Sequence, residues 1–279
     1  MPDVFAPSPV HLNSALNAQL KELHLPVVRG CYADVAAEAA RENLGYEHFL
    51  HELMERECEV RLQNRVDRRL RESKLPLSKA IGNFDQGRLP LKVRQQVKVL
   101  LDGSFLERRE NVLAFGNPGS GKTHLLCAVC QQLARQERRV LYTTCSLLVQ
   151  ELLAAKRDLK LATLLKRLGR YEALLIDDMG YVQQSREEME VLFTLLADRY
   201  ERSSVLLTSN LPFSGWEAIF KDPMTTAAAI DRLVHHCIII ELDLPSYRME
   251  HARVEHAKLG QSPGPAAPPA PVLTGPSVT

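Results

Sequence analysis

The chain has 279 residues, with 35 Lys and Arg against 34 Asp and Glu and an apolar share of 45%, the composition of an ordinary globular protein with room for one large or two small domains. A net charge of +1 gives no overall polyanion-binding signature. No run approaches the roughly 18 apolar residues of a membrane span, and the polar, proline-bearing start lacks a signal-peptide layout, so a cytoplasmic protein without membrane contact is expected.

Residues 1–11 contain proline and no periodicity, and are expected to be disordered. Residues 12–78 read as an all-helical N-terminal domain. Leu12, Leu16, Leu20 and Leu23 share a face, Ala33 to Glu42 is alanine-rich, and one long pattern runs from about Gly45 to Ser73, with Phe49, Leu50, Leu53, Val60 and Leu70 as its apolar contribution and Pro76 closing it. Charge is uneven here: residues 61–109 hold 13 Lys and Arg against 5 Asp and Glu. Arg61, Arg65, Arg68 and Arg69 fall at i, i+4, i+7 and i+8, a basic stripe suited to tracking the phosphates of duplex DNA. The same helix offers Glu57–Arg61, Asp67–Arg71 and Arg68–Glu72 as i,i+4 pairs, so a self-paired, solvated face is the competing reading.

After a linker and a helix over Leu91 to Leu101, strand and helix patterns alternate, as in a parallel sheet covered on both faces. The expected strands are Val112 to Phe115, Val140 to Thr143, Ala173 to Asp177, Val205 to Thr208 and Ile238 to Leu242. Ser185-Arg186-Glu187-Glu188 is a capping box at the head of a helix reaching about Tyr200. Residues 259–279, rich in Pro and Ala, cannot bury enough apolar surface to order and are expected to be disordered.

Gly116-Asn117-Pro118-Gly119-Ser120-Gly121-Lys122-Thr123 fits G-x-x-x-x-G-K-[ST] at every fixed position, between an expected strand and a helix whose Leu126, Val129 and Leu133 share one face. Such a loop curls backbone N–H groups around the phosphates of a nucleotide, with Lys122 on the β and γ oxygens and Thr123 as a Mg²⁺ ligand. Ala173 to Asp178 is an apolar strand ending in two carboxylates; Asp177 is the metal-side candidate, and Asp178 the group to orient or deprotonate an attacking water. Asn210, after the Val205 to Thr208 strand, can position that water, although Ser-Asn is also an ordinary turn start. Arg232, just before the last strand, can reach a neighbouring subunit's γ-phosphate, or can be a plain surface arginine. The six cysteines read as reduced core thiols, and His235-His236 and Trp216 as structural, since ligand spacing is lacking.

With these four elements in this order, the chain resembles the IstB-like transposition ATPases, helper proteins of bacterial insertion sequences related to the DnaC helicase loader within the AAA+ superfamily. The resemblance spans roughly residues 12–258, and includes Tyr32, Ala39-Ala40, Phe49-Leu50, Lys79 to Phe84-Asp85 and Ser246-Tyr247-Arg248. It implies an AAA+ core over residues 79–258 that uses ATP and Mg²⁺. Gly116 to Thr123 would be the Walker A element, Asp177-Asp178 the Walker B pair, Asn210 the sensor, and Arg232 the finger acting between subunits of a homo-oligomer with ATP at its interfaces. Arg248 would occupy a family position to which no role is attached. The superfamily usually carries Glu where Asp178 stands, which implies slow or partner-stimulated hydrolysis. The implied function is ATP-dependent assembly on duplex DNA in the service of a cognate transposase. A helicase loader shares the fold and chemistry and differs in partner. A small-molecule kinase would need an arginine-bearing lid that is not evident, and a binding module using ATP as a static clamp would lack turnover.

Overall fold

The computed structural model describes residues 9–180, 185–212, 215–216, 230–247 and 249. Arg248, residues 225–229 of the segment before the last strand, and the 259–279 tail lie outside them.

Three helices open the chain: α1 (Pro9–Glu22), α2 (Pro26–Arg41) and α3 (Tyr46–Glu72). The first begins inside the stretch expected to be irregular, because a proline is tolerated at a helix start, where its missing N–H has no partner to lose. Leu20, Val28, Val35 and Leu53 form a small core between the helices. Of the apolar positions expected to bury, Leu50 is 57% exposed and Val60 42% exposed, and Leu12 and Leu23 also face outward. Three helices enclose only a narrow strip, which Leu20 and Leu53 already fill. Glu57 is the unexpected buried group. Its carboxylate takes the N–H groups of Val27 and Val28 at 2.9 and 3.2 Å, and so caps α2, whose N-cap residue Leu25 has no side-chain acceptor. Burial alone would raise its pKa. The Arg61 guanidinium at 2.9 Å and the two N–H groups outweigh that and hold it below the ordinary glutamate range.

The core sheet has five parallel strands, β1 (Asn111–Gly116), β2 (Val140–Thr144), β3 (Ala173–Met179), β4 (Ser204–Ser209) and β5 (Cys237–Leu242), in the order β2-β3-β4-β1-β5. Alternation within each strand feeds two cores. Val112, Ala114, Leu175 and Leu206 pack under α6 (Lys122–Arg135), together with α4 (Leu91–Asp102) and the short α5 (Ser104–Glu107). Leu113, Phe115, Leu174 and Ile176 pack under α7 (Cys145–Arg157), α8 (Leu161–Leu168) and α9 (Arg186–Arg199). The capping box at Ser185 and Glu188 heads α9 as expected. Cys127 and Cys130 are buried in α6, where loss of hydration pushes the Cys127 thiol up to about 12 and raises Cys130 as well. Cys58, on the solvent side of α3, is exposed and is no core thiol.

The C-terminal half of α3 docks on the core. Leu70 and Leu75 join the α6-side cluster, Arg65 pairs with Glu137 just beyond α6, and the Ser73 carbonyl accepts the Tyr142 N–H of β2 at 2.8 Å. At the amino edge of the sheet the buried Arg199 donates to the carbonyls of Leu168, Tyr171 and Ser204; burial lowers its pKa to about 10, so it stays charged at neutral pH. Because the folded pKa of Glu57 is depressed, its contribution is fully present above the ordinary glutamate range, roughly pH 4 to 5, and fades as pH falls through the lower folded value. Glu57→Gln is expected to cost about 1–2 kcal/mol at neutral pH and to flatten this acid limb, as read by denaturant unfolding across pH.

Candidate nucleotide site

A cavity of about 550 Å³ opens at the carboxyl edge of the sheet, lined by Pro118 to His124, Tyr142, Asp177, Asp178 and Asn210, with Lys79, Phe84, Arg88 and Tyr247 on its far side. The loop between β1 and α6 forms its floor. Gly116 has φ +147°, and a Cβ there would meet the Leu242 carbonyl oxygen at 2.2 Å. Gly121, the N-cap of α6 at φ +98°, lets the chain turn into the helix with the Phe84 ring 3.0 Å from where a Cβ would be. Both positions are closed to larger residues by backbone conformation and by space. The N–H groups of the first turn of α6 therefore open onto the cavity, an arrangement that favours anions.

Lys122 Nζ donates to the carbonyls of Gly116 and Asn117 at 2.8 and 2.9 Å, which holds the ammonium inside the loop. Ser120 Oγ is buried with no hydrogen-bond partner among the described residues, 3.2 Å from where a Gly116 Cβ would be. Asp177 is buried and collects three hydroxyls: Thr123 Oγ1 and Thr208 Oγ1 donate to its Oδ1 at 2.7 and 2.6 Å, and Tyr142 Oη donates to its Oδ2 at 3.0 Å. Burial and the neighbouring carboxylate raise the Tyr142 pKa, so the phenol keeps its proton. A hydroxyl and a carboxylate this close can share one hard cation, so the residues present fit Mg²⁺. Asp178 is exposed to the cavity, and Asn210 ends β4 beside it.

On the far side, the Phe84 ring meets His124 edge-on with centroids 5.2 Å apart, and His124 Nε2 donates to the Ala80 carbonyl at 3.0 Å. Arg88 lies 5.3 Å over the Tyr247 ring and donates to the Pro245 carbonyl, while the Tyr247 N–H bonds the Gly119 carbonyl. This wall is apolar and aromatic enough to take a planar base. Sequence reasoning missed Tyr142, Thr208, Phe84, Arg88 and Tyr247 as site groups. Phe84 and Tyr247 were signalled only as members of the segments Lys79 to Asp85 and Ser246 to Arg248 that share in the family resemblance.

The remaining expected residues lie elsewhere. Arg232 sits at the amino edge, the opposite end of the sheet from Lys122. It belongs to the helical segment 230–234, whose carbonyls at Arg232 and Leu233 accept from Asn111 at the start of β1. Its guanidinium lies 4.5 Å over the Phe193 ring, with Nη1 buried and without a hydrogen-bond partner among the described residues. His235 and His236, read as structural because ligand spacing is lacking, come together with Glu201 so that one ligating atom of each lies within 4.8 Å of the others. Arg108, Arg109 and Arg232 line the same shallow hollow, which opposes a cation there. On α3, Arg61 is held by Glu57 and the His24 carbonyl, Arg65 by Glu137 and Arg69 by Glu72, while Arg68 is exposed. The expected Asp67–Arg71 and Arg68–Glu72 pairs give way to Gln63–Asp67 and Arg69–Glu72.

A protein of Sinorhizobium fredii (strain NGR234) named as an insertion sequence ATP-binding protein is 38% identical over 85% of this chain and 80% of its own length. The insertion sequence IS5376 ATP-binding protein of Geobacillus stearothermophilus is 34% identical over 85% and 94%. Among solved structures, AMPPCP-bound DnaA from Aquifex aeolicus superposes with a TM-score of 0.52 at 18% identity, over 66% of this chain and 56% of that one, a likeness of fold. No helix among the described residues is long and apolar enough to cross a membrane. The family model for the IstB-like ATP-binding proteins matches residues 18–255, and the chain belongs to that family.

Proposed function

We propose that the chain is a Mg²⁺-dependent ATPase that assembles on duplex DNA and assists the transposase of an insertion sequence. The observation that carries the reading is the meeting, at one sheet edge, of the Lys122 loop with the Thr123–Asp177 pair and the cavity-facing Asp178. Bound Mg²⁺ would supply charge neutralisation on the triphosphate. The chain's own groups do the rest. The N–H groups from Gly119 to Thr123 and the Lys122 ammonium bind and orient the phosphates. Thr123 and Asp177 hold the metal. Asp178 takes a proton from water, and Asn210 aligns that water. The aromatic wall at Phe84 and Tyr247 receives the base and shields one side of the site from solvent.

The relatives' association with insertion sequences supports service to a transposase, and the excess of basic residues over 61–109 supports a polyanion on that side of the molecule. Arg68 is the stripe member best available to a phosphate, because Arg61, Arg65 and Arg69 are spent on internal partners. Arg232, too far from its own Lys122 to act there, suits a role toward the nucleotide of an adjoining copy.

Lys122→Ala is expected to abolish binding of a fluorescent ATP analogue and any nucleotide-dependent change in sedimentation; binding like that of the wild type would remove the loop from the site. Asp178→Asn is expected to keep nucleotide affinity and to lose about 10²-fold or more in phosphate release. Undiminished turnover would move the base elsewhere. Arg68→Glu is expected to weaken duplex binding and reduce the slope of log K against log salt by about one, with unchanged thermal stability. An unaltered slope would place the DNA surface off α3.

A further inference from the structure

The two acids of β3 occupy the cavity together only because the strand is interrupted there. In a regular strand neighbouring side chains point to opposite faces. Leu174 and Ile176 pack into the cluster under α7 and α9, so an unbroken β3 would send residue 178 into that apolar core as well, and Met179 to the α6 side. The reverse occurs: Met179 is buried in the α7 and α9 cluster, and Asp178 opens onto the same cavity as Asp177. The ladder shows how. Ile176 pairs with Leu207, but the next pair is Met179 with Ser209, so Asp177 and Asp178 together stand opposite the single residue Thr208. This is a β-bulge. Its extra residue, Asp178, lies at φ +59°, a region that non-glycine residues enter at a cost.

A bulge frees a backbone N–H that must find another partner. Thr208 Oγ1 is that partner: it accepts the Asp178 N–H at 2.9 Å and donates its own O–H to the buried Asp177 Oδ1 at 2.6 Å. One hydroxyl thus fixes the backbone of one acid and the side chain of the other. We infer that Thr208 is a positioning residue for hydrolysis, which holds the β3 bulge so that Asp177 and Asp178 face the nucleotide at the same time. This rests on the ATPase reading above.

The test uses the full-length protein with Thr208→Val, which keeps the shape and deletes the hydroxyl, and Thr208→Ser, which restores it. Amide exchange at Asp178, followed by NMR without nucleotide, is expected to quicken at least tenfold in Thr208→Val and to return toward wild type in Thr208→Ser. Under saturating ATP, kcat is expected to fall at least tenfold in Thr208→Val with the affinity for ATP analogue within about threefold, and to recover in Thr208→Ser. Equal exchange in wild type and Thr208→Val, or a Thr208→Ser variant as impaired as Thr208→Val, would overturn the assignment and leave the ATPase reading standing. A wild type that binds ATP but never turns it over, with DNA present, would overturn the ATPase reading, and the catalytic part of this assignment with it.

Discussion

The hydrogen bond from Thr123 to Asp177 is the contact on which the arrangement depends. It joins the first turn of α6 to the tip of β3, two elements separated in the sheet by β4 and brought together only by parallel topology. Because all five strands run the same way, every βα turn is delivered to one edge, and the groups that can bind an anion or a cation are gathered there without special loops. Asp177 then acts as a hub. Its two oxygens take hydroxyls from α6, β4 and β2, so three neighbouring elements report to one buried carboxylate. Such a cluster is tolerable in a low-dielectric setting because the charge is fully hydrogen-bonded.

The same carboxylate lies a short way from the N-terminal helices. Tyr142 touches Asp177 with its hydroxyl, and its backbone N–H is held by the carbonyl of Ser73, the residue that ends α3. Arg65 fastens the middle of that helix to the end of α6, and Leu70 and Leu75 seal the gap with apolar surface. A displacement of α3 along its axis would therefore pull on β2 directly, and α3 is the helix that displays Arg68. The basic stripe and the nucleotide cavity are parts of one packed body, joined through two hydrogen bonds of β2.

What the sequence made legible was whatever one local rule decides. The five strands were readable because each is a short apolar run, buried on both faces in the central β1, β3 and β4, and the loop at Gly116 to Thr123 because its spacing has few other uses. The α9 start was readable because a capping box closes within four residues. Groups whose meaning comes from a distant partner were not readable. Glu57 looked like half of an i,i+4 pair, and it is that, yet its larger task is to cap α2, a helix some thirty residues earlier. Asp178 looked like the second of two acids on a regular strand; that both face one cavity follows from a bulge, and a bulge is set by the residue across the ladder. The period of the basic stripe could not show that Arg61, Arg65 and Arg69 each have a carboxylate partner within the molecule.

Arg232 constrains any assembly in a way that the nucleotide site alone does not. Lys122 lies at the carboxyl edge of the sheet and Arg232 at the amino edge, with the full length of β1 between them. A two-fold interface can join the two edges only through a patch that spans both, each copy's amino edge then meeting the other's carboxyl edge reciprocally. A contact that sets the amino edge of one copy against the carboxyl edge of the next without that reciprocity is heterologous, and repeats until it closes into a ring or continues as a helix. Under the proposed role of Arg232 toward a neighbour's triphosphate, either arrangement would make assembly and hydrolysis share an interface. In the isolated chain the Arg232 guanidinium is stacked on Phe193 with Nη1 buried and without a hydrogen-bond partner among the described residues, so the proposed reach to a neighbour requires the side chain to leave that stack.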